Sequence, residues 1–88
     1  MKPKITTQFK RDVKRAKRQN RDLSLLKTAI DALLEGKQLP QEYKDHKLKG
    51  RLVRYRECHL EPDWLLMYQV TTDGLILVRL GSHSELFE

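Results

Sequence analysis

The N-terminal part of the chain repeats its apolar positions with the period of an α-helix. The first apolar stripe, at positions i, i+4 and i+7, consists of Phe9, Val13 and Ala16. Because Thr6 or Thr7 can cap the N-terminus, we predict a short amphipathic helix over residues 7–19. Asn20 and Arg21 then interrupt the pattern.

A second apolar stripe begins after Asp22, a residue type suited to capping a helix. The stripe consists of Leu23, Leu26, Ile30, Leu33 and Leu34. Gly36 follows at the point where a helix end favours a residue that tolerates positive φ. Since the connection between the two stripes is short, we predict an antiparallel helical hairpin.

The second half of the chain has the pattern of β-strands. After a segment without periodicity over residues 38–50, we predict strands over residues 52–59, 64–70 and 75–80. Thr71-Thr72-Asp73-Gly74 suits a hairpin turn between the last two strands. Both of these strands carry apolar residues at both parities, so we expect them to be central in an antiparallel sheet.

A further short strand is expected at Ile5, before the first helix, with Pro3 limiting its pairing. The resulting order, β-α-α-β-β-β, predicts an α+β fold in which the helical hairpin packs on a small, mainly antiparallel sheet. A chain of 88 residues has room for one domain, which we assign to residues 1–88.

Positive charge is concentrated in the first half of the chain. Residues 1–50 contain 14 Lys and Arg against 6 Asp and Glu, a net charge of +8, whereas residues 51–88 contain 4 against 6, a net charge of −2. On the first helix, the cations that we expect to contact phosphate are Lys10, Lys14, Arg15, Lys17 and Arg18. The alternative interpretation is a solvated helix face.

The single cysteine, Cys58, excludes an internal disulfide and favours a reducing compartment. The sequence contains neither a signal-peptide pattern nor an apolar run long enough to span a membrane. We therefore expect a cytoplasmic protein without a membrane partner.

All three histidines lie in the last 43 residues, and histidine exchanges protons near neutral pH. The antiparallel order of the predicted strands gathers several polar and aromatic residues at one end of the sheet. These residues are His59, Asp63, Trp64, Arg79 and His83. His46 precedes the first of these strands, so we expect it near the opposite end unless its loop folds back.

Several of these residues also have a plainer interpretation. Trp64 opens an apolar strand and suits the core as well as base stacking. Asp63 suits a turn, His46 a solvated loop, and Phe87 an anchor for the C-terminus. A zinc site would need a helix between His59 and Asp63, which the intervening proline disfavours, so we predict no metal and no cofactor.

The chain carries Tyr43-Lys44-Asp45-His46, a His-x-x-Pro-Asp-Trp run over residues 59–64 and a Gly-x-His-x-x-x-Phe run over residues 81–87. With these motifs it resembles the YafQ-type branch of the RelE/ParE superfamily, the toxins of type II toxin–antitoxin pairs. The resemblance implies a ribosome-dependent endoribonuclease that cuts mRNA in the decoding site. The matching active-site positions are His46, His59, Asp63, Trp64, Arg79, His83 and Phe87.

The expected chemistry is metal-free RNA cleavage, in which a ribose 2′-hydroxyl attacks the adjacent phosphate and the 5′-oxygen leaves. We assign His83 as general acid and Asp63 or His59 as general base, although this order could be reversed. Arg79 is expected to stabilise charge on the phosphoryl oxygens. The aromatic residues expected to contact bases are Trp64 and Phe87.

The expected partners are mRNA on the ribosome, ribosomal RNA and an acidic antitoxin, with DNA contacted only through an antitoxin complex. Two alternatives stay open at the level of sequence. One is a ParE-like toxin without nuclease activity, and the other is an RNA- or DNA-binding module without catalysis. The histidine set favours the nuclease, because neither alternative needs an acid and a base.

Overall fold

The computed structural model describes residues 2–87 as helices packed on a five-stranded sheet. The strands are β1 (Lys4–Ile5), β2 (His46–Lys47), β3 (Arg56–Glu61), β4 (Trp64–Thr71) and β5 (Gly74–Gly81). The helices are α1 (Thr7–Arg18), α2 (Leu23–Leu34) and α3 (His83–Phe87), and single 3-10 turns lie at Gln41–Tyr43 and Gly50–Leu52. The spatial order is β1-β5-β4-β3-β2, with β1 and β5 parallel and the other neighbours antiparallel.

The predicted α+β class, the strand at Ile5 and the central position of the last two long strands are therefore confirmed. The predicted helix caps are confirmed as well. Thr6 Oγ1 accepts a hydrogen bond of 2.9 Å from the Phe9 N–H, and Asp22 Oδ1 accepts one of 3.0 Å from the Ser24 N–H. Asn20 and Gly36, which follow the two helices, adopt φ angles of 59° and 71°. These left-handed residues end the helices because asparagine and glycine tolerate that conformation.

The core lies between the helices and one face of the sheet. Its fully buried members on β3, β4 and β5 are Cys58, Trp64, Leu66, Tyr68, Leu77 and Leu80. From the helices, Phe9, Ala16 and Leu26 pack against them. Burial of this apolar surface is the main favourable contribution to folding in a chain this small.

The region before β3 differs from the prediction. The strand expected from residue 52 begins at Arg56, and residues 50–52 form a 3-10 turn. Part of the expected loop forms β2, and Gly50, with a φ of 65°, lies in the turn after it that lets β3 return to pair with β2. The Leu48 N–H then donates to the Tyr55 carbonyl at 2.9 Å, closing this turn.

Helix α1 is joined to β5 by the buried carboxylate of Asp12, which is 1% exposed. Asp12 Oδ2 accepts hydrogen bonds from Arg79 Nε at 2.8 Å and from the Leu80 N–H at 2.9 Å. Its other oxygen accepts from Gln8 at 3.2 Å. Burial alone would raise the pKa of Asp12, but the hydrogen bonds from Arg79, Leu80 and Gln8 outweigh burial and lower it.

We predict that Asp12→Asn lowers the free energy of unfolding by about 3 kcal/mol, because Arg79 loses the charge that compensates it. The contribution of the wild-type carboxylate is complete above the ordinary aspartate pKa of about 3.9. It is lost as the pH falls through the lower folded-state pKa. Urea unfolding between pH 2.5 and 7 measures both effects.

The matched control is Asp31→Asn, which removes an exposed carboxylate paired with Lys27 at 2.7 Å. This change is expected to cost far less than Asp12→Asn, because an exposed ion pair contributes little to stability. Equal losses in the two variants would contradict the structural role of Asp12.

Candidate active site

His83 and Asp63 form the best-defined pair at the end of the sheet. His83 is the first residue of α3, and Asp63 lies in the turn between β3 and β4. Asp63 Oδ1 lies 2.6 Å from His83 Nδ1 and accepts a further hydrogen bond of 2.9 Å from the His83 N–H. Since a carboxylate only accepts, Nδ1 carries a proton and Nε2 is left for other chemistry.

This contact also changes Asp63. The hydrogen bonds from the backbone N–H and the ring of His83 lower the pKa of the Asp63 carboxyl. A carboxylate with a lowered pKa is a weaker base, and Asp63 Oδ1 already accepts both hydrogen bonds from His83. Asp63 is therefore suited to orienting His83 and to stabilising its charged form.

His59, on β3, stands next to this pair. The ring centroids of His59 and His83 are 5.7 Å apart, and those of His83 and Phe87 are 6.5 Å apart. Phe87 is 44% exposed, so an aromatic face is available beside the two imidazoles. The structure thus brings together four of the predicted site residues: His59, Asp63, His83 and Phe87.

A groove of about 490 Å³ opens beside His59, between the end of β3 and the segment around Tyr43. Its wall includes Glu42, Lys44 and Pro62. This open groove agrees with the size of the chain, which leaves little apolar surface for a deep pocket.

His46 lies on β2, outside the four residues just described. Its ring contacts Glu57 on β3, with Nε2 at 3.1 Å from Glu57 Oε1. Its Nδ1 lies 2.7 Å from the Lys44 carbonyl oxygen. Because Glu57 and His59 are two residues apart on one strand, they share a face, and the folded-back loop places His46 on the same side as His59.

Trp64 is not available to a base, which corrects the stacking role considered for it. The side chain is 1% exposed and belongs to the core. The Arg21 guanidinium carbon lies 5.4 Å from the centroid of its ring, and Arg21 Nη1 lies 3.3 Å from Glu61. Trp64 and Arg21 thus hold the turn that carries Asp63.

Arg15 makes structural contacts, and since 28% of its side chain is exposed its contact with phosphate stays a prediction. Its guanidinium donates to the Leu80 carbonyl at 2.9 Å and contacts Glu85 at 3.1 Å and Asp12 at 3.3 Å. Arg79 is fixed by Asp12 but keeps 26% of its side chain exposed. Its contact with phosphate stays a prediction.

The short helix α3, which carries His83, was missed by the sequence analysis. Its signal is the Ser82-x-x-Glu85 spacing of a capping box. The Glu85 N–H donates to Ser82 Oγ at 3.2 Å, and the Ser82 N–H donates to Glu85 Oε1 at 2.8 Å. Gly81 leaves space for this arrangement, because a Cβ there would lie 2.7 Å from Arg15 Nη2.

The remaining cations predicted on α1 are exposed to solvent: Lys10, Lys14, Lys17 and Arg18. We call these four residues the α1 cation stripe. They face away from the core side of α1, where Phe9 and Ala16 are buried. The stripe is free to meet a polyanion, as expected for a phosphate-contacting surface.

Comparison with known proteins places this geometry in a family. The model of the family described as "Bacterial toxin of type II toxin-antitoxin system, YafQ" matches residues 1–88. The chain belongs to the YafQ toxin family. It is 41% identical over 81 residues to the mRNA interferase toxin YafQ of Escherichia coli K12, covering 91% of this chain and 88% of that protein.

Solved structures agree with this assignment. The toxin aligns with a chain of the E. coli DinJ–YafQ toxin–antitoxin complex with a TM-score of 0.92 and 38% identity, covering 99% of this chain and 97% of the other. It aligns with a metal-bound toxin from Helicobacter pylori with a TM-score of 0.91 and 45% identity, covering 99% of both chains. The expected family and fold are confirmed.

Three further features of residues 2–87 concern metal ligands, the cysteine and the helix lengths. No group of three His, Cys, Asp or Glu side chains in that range is arranged to hold a metal ion. Burial raises the pKa of the Cys58 thiol to about 12, which disfavours a thiolate nucleophile. Within the same residues, no helix is both long enough and apolar enough to cross a membrane.

We predict that Asp63→Ala changes the tautomer of His83. In the wild-type toxin the neutral ring carries its proton on Nδ1, because Asp63 accepts it there. Without Asp63, the ring should return toward the Nε2–H form. Nitrogen-15 chemical shifts of the His83 ring at a pH where it is neutral measure the two populations. The control is Asp73→Ala, in the exposed hairpin turn, and an unchanged His83 tautomer in Asp63→Ala would contradict the orienting role.

Proposed function

We propose that this toxin is an endoribonuclease that cleaves mRNA on the ribosome by metal-free acid/base catalysis. The observation that carries the proposal is the pair of imidazoles, His59 and His83, 5.7 Å apart, of which one is oriented by a carboxylate. Two imidazoles suit a reaction with one proton removal and one proton delivery, because histidine can both accept and donate a proton. The family and the mRNA interferase name of its E. coli relative support the same activity.

In the proposed reaction, His59 removes the proton of a ribose 2′-hydroxyl, and the 2′-oxygen forms a bond to the adjacent phosphorus. The bond from phosphorus to the 5′-oxygen breaks, and His83 Nε2 delivers a proton to that oxygen. The products are a 2′,3′-cyclic phosphate and a 5′-hydroxyl. Asp63 stabilises the imidazolium form of His83 before the transfer, which is why it serves as a positioning residue and His59 as the base.

Two further residues assist the reacting groups in this proposal. Arg79 directs its exposed portion toward charge that develops on the phosphoryl oxygens, and Asp12 fixes its orientation. Phe87 packs against a base that neighbours the cleaved bond. His46 contributes from β2, on the face of the sheet that also carries His59.

The partners follow from charge and from the family. The α1 cation stripe docks on the phosphates of ribosomal RNA, and the ribosome holds the message in line for attack. An acidic antitoxin neutralises the toxin, as the DinJ complex of the E. coli relative suggests. DNA is reached only through that complex, and the toxin acts in the cytoplasm, where translated mRNA is found.

We predict that His83→Ala lowers the rate of mRNA cleavage by about 10²–10⁴-fold, because proton delivery to the leaving oxygen is lost. An exposed histidine contributes little to packing, so the variant should fold. Cleavage of ribosome-bound mRNA by primer extension and circular dichroism measure the two properties. The control is Ser84→Ala, the next position of the same helix.

Wild-type cleavage by a folded His83→Ala toxin would remove His83 from the mechanism. Chelation after the ribosome complex has formed should leave the rate unchanged, since no step uses a metal ion. A requirement for stoichiometric metal would contradict the metal-free reaction.

We also predict that the toxin cuts ribosome-bound mRNA much faster than the same free mRNA, because alignment of the reacting atoms can lower a barrier by several kcal/mol. Lys14→Gln together with Lys17→Gln should weaken ribosome binding. The slope of log affinity against log salt should fall by roughly 1.5, since each lost phosphate contact removes about 0.7–0.9.

The charge-matched control is Lys27→Gln together with Lys37→Gln, which removes two exposed lysines, one on α2 and one just after it. Equal cleavage rates on free and bound mRNA would contradict ribosome dependence. Equal salt slopes in the two double variants would contradict docking through the α1 cation stripe.

A further inference from the structure

The segment that carries His46 is tied to the sheet from the side of the helices. Tyr68 on β4 is 1% exposed, and its hydroxyl donates a hydrogen bond of 2.5 Å to Asp45 Oδ1. Arg56 on β3 donates to the same oxygen from Nε at 3.3 Å. Since Arg56 and Tyr68 are paired in register, the two donors approach Asp45 from one face of the sheet. We call Asp45, Arg56 and Tyr68 the Asp45 clip.

The clip reaches past the neighbouring strand to the centre of the sheet. Strand β2 consists of two exposed residues, His46 and Lys47, which pair with Glu57 and Arg56 of β3. An edge strand this short has little stability of its own and is expected to open locally. Asp45 directly precedes β2 and is bonded to β4, the strand beyond β3. The clip therefore anchors β2 in addition to its own pairing with β3.

The donor on β4 is fixed in place. The Tyr68 ring belongs to the hydrophobic core together with Cys58 and Leu66, so the hydroxyl has little freedom to move. Burial, assisted by the hydrogen bond to Asp45, raises the pKa of the Tyr68 phenol. The phenol therefore keeps its proton near neutral pH and remains a donor to Asp45.

The residues on either side of Asp45 determine how the His46 ring is held. Lys44 has a φ of 50°, a left-handed conformation that is unfavourable for a lysine. Its carbonyl oxygen lies 2.7 Å from His46 Nδ1. Because Asp45 lies between the two residues, a fixed Asp45 holds both the carbonyl group and the ring. The clip acts on the helix side of the sheet and leaves the His46 ring on the face that carries His59.

We propose that Tyr68 is a positioning residue that, through Asp45, fixes the backbone of β2 and thereby the place of His46 beside the reacting groups. Tyr68 is buried, so it acts without contacting RNA. The effect on cleavage rests on the proposed function, whereas the anchoring of β2 does not. The set of residues on which the site depends thus extends to the opposite face of the sheet.

The anchoring is tested in the full-length toxin without RNA by Tyr68→Phe, which keeps the buried ring and removes only the hydroxyl. Leu48 follows β2, and its N–H bonds to the Tyr55 carbonyl. Amide exchange at Leu48 should rise by roughly tenfold, and by more than exchange at Leu66 in β4, because a hydrogen bond to a charged group is lost. The proton and carbon-13 signals of the His46 ring should move toward those of an unstructured histidine. The control is Tyr55→Phe, which removes a hydroxyl outside the clip.

Unchanged Leu48 exchange together with unchanged His46 signals in Tyr68→Phe would overturn the proposal. Should Tyr68→Phe fail to fold, Asp45→Ala breaks the same clip at a side chain that is 20% exposed. The same two measurements then decide the anchoring.

The catalytic part is tested by cleavage of ribosome-bound mRNA, with the maximal rate and the half-saturating concentration measured separately. Tyr68→Phe should lower the maximal rate by roughly tenfold and change the half-saturating concentration by less than about twofold, because a displaced group impairs the reaction rather than docking. Asp45→Asn keeps an oxygen that accepts from both donors, so its rate should stay within about threefold of wild type. Asp45→Ala should be as slow as Tyr68→Phe, and combining the two changes should cause no further loss.

A Tyr68→Phe toxin that loosens β2 but cleaves at the wild-type rate would overturn the catalytic part. So would Asp45→Asn as slow as Asp45→Ala, since the charge of Asp45 would then matter rather than its contacts. Additive losses in the double variant would show that Tyr68 does not act through Asp45. If the wild-type toxin fails to cleave ribosome-bound mRNA, the proposed function fails, and amide exchange and the His46 signals still decide the anchoring of β2.

Discussion

The arrangement of the active site depends on one buried carboxylate, that of Asp12. It accepts hydrogen bonds from the Arg79 side chain and the Leu80 backbone, and thereby fixes α1 against the end of β5. The same end of β5 leads into His83. A charge buried this deeply is stabilised only while its partners stay in place, so a change in the contact between α1 and β5 also shifts Arg79. Packing and the candidate active site therefore share the same atoms.

A second set of contacts extends this anchor to α3, the helix that carries His83. Arg15 lies one turn beyond Asp12 on α1 and bonds the Leu80 carbonyl and Glu85, and Glu85 in turn caps α3. A helix of five residues has little stability of its own. Its position therefore comes from these polar contacts, which give Arg15 a structural role beside the phosphate contact predicted for it.

The sequence was most informative where a local rule determines the backbone. Thr6 and Asp22 cap their helices, and Asn20 and Gly36 end them, as their chemistry requires. The short strand β2 was missed because it depends on a reversal at Gly50 and on pairing with β3. The partners of Arg15 could not be predicted, since Leu80 and Glu85 lie about 65–70 residues away in sequence.

The histidines differ in the environment of the carboxylate that each one contacts. Asp63, which lies 2.6 Å from His83 Nδ1, is 66% exposed, so water has access to both groups. Glu57, which lies 3.1 Å from His46 Nε2, is 8% exposed, and the other nitrogen of His46 faces a carbonyl oxygen. The family resemblance gave both histidines as active-site positions without distinguishing them. The burial of Glu57 depends on the pairing of β3 with both β2 and β4, which no local pattern in the sequence encodes, and this burial separates the two environments.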